Sequence, residues 1–413
     1  MEGDRDSVVV RLDAPGLSPR RTVGALARER SGAKSVTSFA YDAEWIEASA
    51  AFPLDPALPL YEGDQYTAAL PGVFADAAPD RWGQTLQERR EALRARREER
   101  RPERLDEWDF LLGVDDRTRM GALRLARPGE EGFVAEDALP IPPVARLREL
   151  EHWARELEQG LSDEMSEEDR WIAMLVVPGS SLGGARPKAS FLDGDDLWIA
   201  KFPARDDRHD VGAWEHVLSG LAEGAGIEVP EAKLMQLGST HRTYCAKRFD
   251  RVGPERRLYA SAMTLAGKRD NEDASYLDIA RAIVERGDPE AIATDLEQLF
   301  RRLVFNLLTG NRDDHLRNHG FLRTASGWRL APAFDVNPSP GRLEHSLAID
   351  EIVRIPDLEL VRATAPHYRL SGERAEEAIA EVGEAVGRWP GLARQTGIAR
   401  DEIERVGAAF ASP

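Results

Sequence analysis

The feature that most constrains this chain is an apolar helix face that ends abruptly in a run of polar residues. Leu296, Leu299, Phe300, Leu303, Val304, Leu307 and Leu308 recur at i, i+3, i+4 and i+7, which predicts a helix buried along one side. Thr309-Gly310-Asn311 stops it. The residues that follow, Arg312-Asp313-Asp314-His315-Leu316-Arg317-Asn318, are polar, yet apolar elements flank them on both sides. Two carboxylates, a histidine and an amide are therefore expected on a rigid support. Asn, Asp and Gly after a helix also make ordinary solvated turns, and on this stretch alone that reading stays open.

The spacing sharpens the first reading. Protein kinases place an aspartate base and a metal-binding asparagine at D-x-x-x-x-N, with a second metal-binding aspartate beyond a hairpin. Asp313 and Asn318 have that separation. Between them and Asp335 the chain reads as strand (Gly320 to Arg323), turn (Thr324 to Gly327) and strand (Trp328 to Leu330), which would return Asp335 of Ala331-Pro332-Ala333-Phe334-Asp335 beside Asn318. The chemistry needs these residue types: a carboxylate to accept the proton of an acceptor hydroxyl, and hard oxygen ligands for Mg²⁺. His315 is placed with the nucleotide-site residues as a hydrogen-bond partner and not a proton shuttle, since an aspartate already fills the base role.

Bulk properties narrow the classes. At 413 residues and 42% hydrophobic content the chain is long enough for two or three packed domains. A net charge of -18 argues against a broad nucleic-acid surface on the isolated chain, and leaves room for a local basic patch on one face. The single cysteine, Cys245, excludes an internal disulfide and a multi-cysteine zinc site, and fits a cytoplasmic location. Met1 to Asp6 is charged and does not read as a signal peptide. No apolar run reaches the ~18 residues of a membrane span, so a soluble protein without a membrane partner is expected.

Along the chain, Val8 to Leu12 predicts a strand, and Ser38 to Tyr41 with Trp45-Ile46 a second pairing. Pro79 suits a helix start. The Arg and Glu run from Gln87 to Arg104 reads as a solvated helix, with a docking arm for a partner or DNA backbone as the alternative. Gly121 to Leu125 predicts a strand, Arg127 to Pro143 has linker composition, Leu147 to Leu157 predicts a helix, and Trp171 to Val177 a short apolar element. Then comes Gly183-Gly184-Ala185-Arg186-Pro187-Lys188, whose backbone NH groups and two cations suit phosphate, though a plain turn fits the same residues. A strand, an Asp-Gly-Asp-Asp turn and a strand ending in Lys201 follow it, the order of parts that grips ATP in a kinase small lobe. Glu215, on the helix Ala213 to Ala222, is the candidate partner of Lys201. The strand from Thr243 runs into an expected hinge whose backbone at Lys247, Arg248 and Phe249 would bind adenine. Ala375, Ala378, Ile379 and Val382, then Ile403, Val406 and Phe410, mark two closing helices.

Together these motifs resemble the HipA family of toxin kinases. The resemblance rests on Gly-Gly-Ala-Arg-Pro-Lys at 183–188, Lys-Arg-Phe-Asp-Arg at 247–251, Gly-Asn-Arg-Asp-Asp-His-Leu-Arg-Asn at 310–318 and Ala-Pro-Ala-Phe-Asp at 331–335. Phe39-Ala40-Tyr41-Asp42 with Trp45, Pro53-Leu54 and Gly121-Ala122-Leu123 extend it to the N-terminal part. It implies an α+β chain. A small β-rich domain (1–126) and a linker (127–145) would precede a phosphatidylinositol-kinase-like domain with a small lobe (146–250) and a helical large lobe (251–413). It further implies an ATP- and Mg²⁺-dependent Ser/Thr protein kinase. Asp313 would be the proton acceptor, Asn318 and Asp335 the metal ligands, Lys201 the ATP lysine and 183–188 the nucleotide loop. Asp314 is the alternative base, and the five-residue spacing favours Asp313. Ser181, or its neighbour Ser180, matches an autophosphorylation site. Implied partners are a protein substrate such as an aminoacyl-tRNA synthetase and a helix-turn-helix antitoxin, with DNA reached only through that antitoxin. Two alternatives belong beside it: a small-molecule phosphotransferase of the aminoglycoside or choline kinase type, and a catalytically silent partner-binding co-repressor.

Overall fold

The computed structural model describes residues 4–31, 34–135, 140–159, 186–270 and 272–410. They form an α+β chain of two compact units, residues 1–200 with 250–260, and residues 201–249 with 261–413.

The first unit is built on a five-stranded antiparallel sheet of order β4-β3-β2-β1-β5. Its strands are β1 (Asp4–Ala14), β2 (Ser18–Ser31), β3 (Lys34–Tyr41), β4 (Gln65–Thr67) and β5 (Leu123–Ala126). Val8, Val10, Leu12 and Ala14 of β1 are buried at every second position, the period-2 pattern of a sheet with one face in the core. Gly24 in β2 is required by packing, since a Cβ there would lie 2.2 Å from the Ala40 carbonyl oxygen. Two local expectations are corrected. Trp45-Ile46 is no strand: it lies in the helical turn Ala43–Ile46, because the Asp42 carboxylate accepts from the Glu44 NH and caps a helix start. The charged run does not stay helical to Arg104; the helix Arg81–Arg97 ends there, Glu99 adopts φ 50°, and Pro102 cannot continue a helix. Asp80 caps the start of that helix by accepting from the Gly83 NH at 2.8 Å. Later in this unit come the helix Leu147–Gln159 and the strand pair Lys188–Asp193 and Asp196–Lys201, turned by Gly194 at φ 63°; the last residue of that pair, Lys201, is the first of the second unit. The apolar element expected at 171–177 lies outside the described residues.

The second unit is organised by the helix Ile292–Thr309, on which the helices Tyr276–Arg286 and Gly372–Gly387 pack. All seven apolar residues of its predicted face are buried. Gly310 ends it in the left-handed region at φ 66°, and a Cβ there would meet the Ala409 carbonyl oxygen at 2.3 Å, so glycine is needed on both counts. The helix Val211–Gly224 is held by Trp214, whose ring lies beside Trp389 and Phe410, and whose indole NH donates to Glu402 at 2.9 Å. A hairpin pairs Gly320–Arg323 with Trp328–Leu330 in the register Phe321 to Leu330. Among the described residues no helix is long and apolar enough to cross a membrane.

Candidate active site

Two pieces of backbone deliver the polar groups of the second unit. The first is the loop after Gly310, whose short helical turn Leu316–Asn318 turns Asn318 inward. The second is the segment after the hairpin. There Asp335 takes a left-handed conformation, φ 59°, which costs an aspartate of the order of 1–3 kcal/mol and persists only where the surroundings enforce it.

Asp335 faces a lysine. The Lys201 amine donates to Asp335 Oδ1 at 2.7 Å and also meets Glu215, on the helix Val211–Gly224. Burial would discharge the amine, but the two carboxylates outweigh it and hold Lys201 above its ordinary value, fully protonated. Glu215 is buried, whereas Asp335 keeps about a third of its side chain exposed. One cation is thus shared by two carboxylates, and the one nearer solvent is Asp335.

The adjacent acids of the loop part company. Asp313 is 70% exposed and its carboxylate pairs with Arg342, itself half-exposed. Asp314 is buried, and its Oδ2 accepts from the Tyr276 hydroxyl at 2.5 Å, from Asn306 Nδ2 at 2.9 Å and interacts with His319 Nε2 at 2.8 Å. Burial opposes the Asp314 charge, yet His319 and these hydrogen bonds hold it below the usual carboxylate range, while the same surroundings push the Tyr276 hydroxyl far up. A carboxylate saturated in this way is a strut for the loop, whereas the Asp313 carboxylate faces solvent beside Arg342.

Asn318 Nδ2 donates to the Asp313 carbonyl at 3.3 Å, and its buried Oδ1 has no hydrogen-bond partner. Asn318 lines one small cavity with Asp314, His319, Ala333, Phe334 and Val336, so the hairpin does return the neighbours of Asp335 to Asn318. An unsatisfied amide oxygen and a carboxylate about a third exposed are hard donors that fit Mg²⁺, which takes one or two protein oxygens and completes its shell with phosphate and water. Among the described residues no group of three or more His, Cys, Asp or Glu could hold a metal by itself.

The remaining predicted residues are placed differently. Gly183, Gly184, Ala185, Ser180 and Ser181 lie outside the described residues. Arg186 and Pro187 lead into the strand from Lys188, whose amine is buried against Asp80, while the Trp82 indole NH donates to its carbonyl at 3.0 Å. In the first unit Lys188 is therefore an anchor on the helix cap of Asp80, not an amine facing solvent. In the second unit the Lys247 NH donates to the Glu231 carbonyl at 2.8 Å, Arg248 is buried, and the Phe249 ring lies 5.4 Å from that of Phe334. His315 Nδ1 is buried without a hydrogen-bond partner. Sequence reasoning missed Tyr276, Asn306, His319 and Arg342. Only His319, five residues after Asp314, left a local trace.

The family model described as HipA-like C-terminal domain matches residues 180–389, and that of the HipA N-terminal domain matches 17–126. A putative kinase of Haemophilus influenzae is 26% identical over 238 residues, 51% of this chain and 68% of the relative. The serine/threonine-protein kinase toxin HipA of Shewanella oneidensis is 24% identical over 331 residues, 72% of this chain and 68% of the relative. A solved structure of the Shewanella oneidensis MR-1 toxin–antitoxin complex of HipA, HipB and operator DNA contains a similar chain. The likeness has a TM-score of 0.68 at 17% identity, covering 97% of this chain and 94% of that one, and it shows a shared fold.

Proposed function

Because the chain belongs to the HipA family and is a kinase of that family, we propose that it transfers the γ-phosphoryl group of ATP to a serine or threonine of a protein, as the toxin of a toxin–antitoxin pair. The observation that carries this reading is the shared lysine: Lys201 protonated between Glu215 and Asp335, in the same unit as the exposed Asp313 and the unsatisfied Asn318 oxygen. In the reaction the acceptor oxygen bonds to the γ-phosphorus, the bond to the ADP oxygen breaks, and the acceptor proton passes to an oxygen of Asp313. Lys201 would hold nucleotide phosphate and Glu215 would hold Lys201. Asn318 Oδ1 and Asp335 would hold Mg²⁺, which when bound neutralises charge on the phosphates. Lys247 to Phe249 keep their proposed part in adenine binding. Gly183 to Lys188 as nucleotide loop, and Ser181 or Ser180 as autophosphorylation site, are proposed on the family resemblance.

By the same reasoning the partner is a helix-turn-helix antitoxin of the HipB kind, with DNA contacted through it; this rests on the HipB and operator DNA of the related complex. The test is mass spectrometry of the full chain after incubation with Mg-ATP, beside Asp313→Asn. Phosphate on the parent and not on the variant is expected. Equal phosphate on both removes Asp313 from its role, and transfer only to sugars or amines, never to protein, overturns the protein-kinase reading.

A further inference from the structure

The catalytic loop does not stand alone. A second segment, 339–346, is laced to it from both ends. The Ser339 NH donates to the Gly310 carbonyl at 2.9 Å, and the Arg312 NH donates to Ser339 Oγ at 3.3 Å. The Ser346 NH donates to the Arg312 carbonyl at 3.0 Å, and the Arg312 guanidinium donates to the Arg342 carbonyl. Between these anchors Gly341 turns the chain at φ 83°, with nothing within 4 Å of where a Cβ would stand. The result is a short strap that presents one side chain, Arg342, to Asp313 Oδ1.

We propose that Arg342 is a positioning residue for phosphoryl transfer, an inference that rests on Asp313 as the proton acceptor. An aspartate that is 70% exposed would otherwise sample several rotamers, and only some aim an oxygen at an acceptor hydroxyl. Arg342 holds Oδ1 and leaves Oδ2 for the hydroxyl. Its charge matters as well. The base is an anion standing where the anionic γ-phosphoryl group must meet the acceptor, and their repulsion grows as water is excluded. A guanidinium on the far oxygen offsets that repulsion without occupying the near one. The backbone anchors explain why the arginine can do this from a loop: its carbonyl and both flanks are fixed, and only the side chain is free to adjust.

This role predicts a split in the kinetics. With ADP release from Mg-ATP measured on the full chain, casein supplied as acceptor, Arg342→Ala is expected to lower kcat by about 10- to 100-fold and leave KM for ATP unchanged. Arg342→Lys is expected to recover part of the loss by restoring the charge. In an Asp313→Asn background, Arg342→Ala is expected to cost nothing further, because the group it positions is gone. Unfolding curves of all variants should superimpose on the parent's, since the pair is exposed. A parent-like kcat for Arg342→Ala overturns the proposal, as does a raised kcat, which would make the contact an inhibitory clamp. An equal loss in both backgrounds overturns it too. If Asp313→Asn itself turns over like the parent, it is the assignment of Asp313 that has failed; if that variant is dead while Arg342→Ala is normal, only the positioning role falls.

Discussion

Each unit buries a cluster of charge, and the two are balanced differently. In the first unit Asp116 is fully buried and meets Arg124 and Arg256; Arg124 also reaches Asp13, Arg251 pairs with Asp250, and Arg117 with Asp115. Arg119, wholly buried, donates to the Leu111 and Val114 carbonyls at 2.9 Å each. Burial pushes the guanidinium groups of Arg119 and Arg256 down to about 10, still protonated at neutral pH. Four carboxylates there meet four guanidinium groups: Asp115 and Asp250 have one each, Asp116 has a share in two, and Asp13 shares Arg124 with Asp116. In the second unit the ratio inverts, with one amine, Lys201, serving Glu215 and Asp335. A buried cluster with matched charge is complete as it stands. One with a surplus carboxylate near solvent and an orphan amide oxygen at Asn318 still has capacity for a cation. The first arrangement holds backbone together, and the second suits work on a charged ligand.

The comparison breaks at its strongest point if the matched cluster is not structural. Asp116→Ala leaves Arg124 and Arg256 charged and buried beside an apolar stub, which should cost about 3–5 kcal/mol of folding stability. Urea unfolding should show this as a lower midpoint, while Mg-ATP turnover, corrected for the folded fraction, should stay at the parent level. A stable variant with impaired turnover would reverse the assignment.

Asp335→Asn probes the surplus carboxylate. Asparagine tolerates the left-handed backbone at this position, and Lys201 keeps its pair with Glu215. Stability should therefore hold or rise slightly, because the remaining pair is matched. Turnover should fall by about 10²–10³-fold, the usual loss on removing one electrostatic stabiliser, and Mg²⁺ should no longer tighten ATP binding in a titration followed by calorimetry. A loss of stability comparable to that of Asp116→Ala would erase the distinction between the clusters.

How much of this was legible depended on how local the signal was. The helix face from Leu296 to Leu308, its glycine stop and the hairpin after Asn318 were all readable, since each is written in periodicity or turn chemistry over a few residues. The pairing of Lys201 with Glu215 was readable in the same way, from the order of strand and helix. The strand Ser18–Ser31 was not read, because Arg20, Arg21, Arg28 and Arg30 interrupt its apolar alternation; Arg28 is buried even so, paired with Asp106 and Asp109. Contacts across long separations left no trace either. Nothing near Asp80 announces that it will meet Lys188, and nothing near Tyr276 announces Asp314. Side-chain hydrogen bonds are chosen by the folded arrangement and carry no period. That is why the buried pair of Lys188 with Asp80 went unread, and why only the five-residue spacing to Asn318 set Asp313 ahead of Asp314 in the sequence.

Asp314 supplies the finest test of the contrast, because it is a lone buried acid whose hydrogen-bond partners are a phenol, an amide and an imidazole, not guanidinium. Asp314→Asn removes the charge but keeps the shape, so the expected loss at neutral pH is modest, about 1–3 kcal/mol for weakened bonds from Tyr276, Asn306 and His319. The pH dependence is more telling. The folded carboxyl is held below its ordinary value, so the unfolded chain binds its proton first as acid is added. The stabilisation is therefore complete above the ordinary aspartate range, near about pH 4, and drains away as pH falls through the lower folded value. The parent should lose stability along that limb, and Asp314→Asn should lose less of it, so the two unfolding curves approach one another in acid. Curves that stay parallel down to pH 3 would mean that Asp314 is not the charged strut under Asp313, and that the exposed acid owes its place to the strap at Arg342 alone.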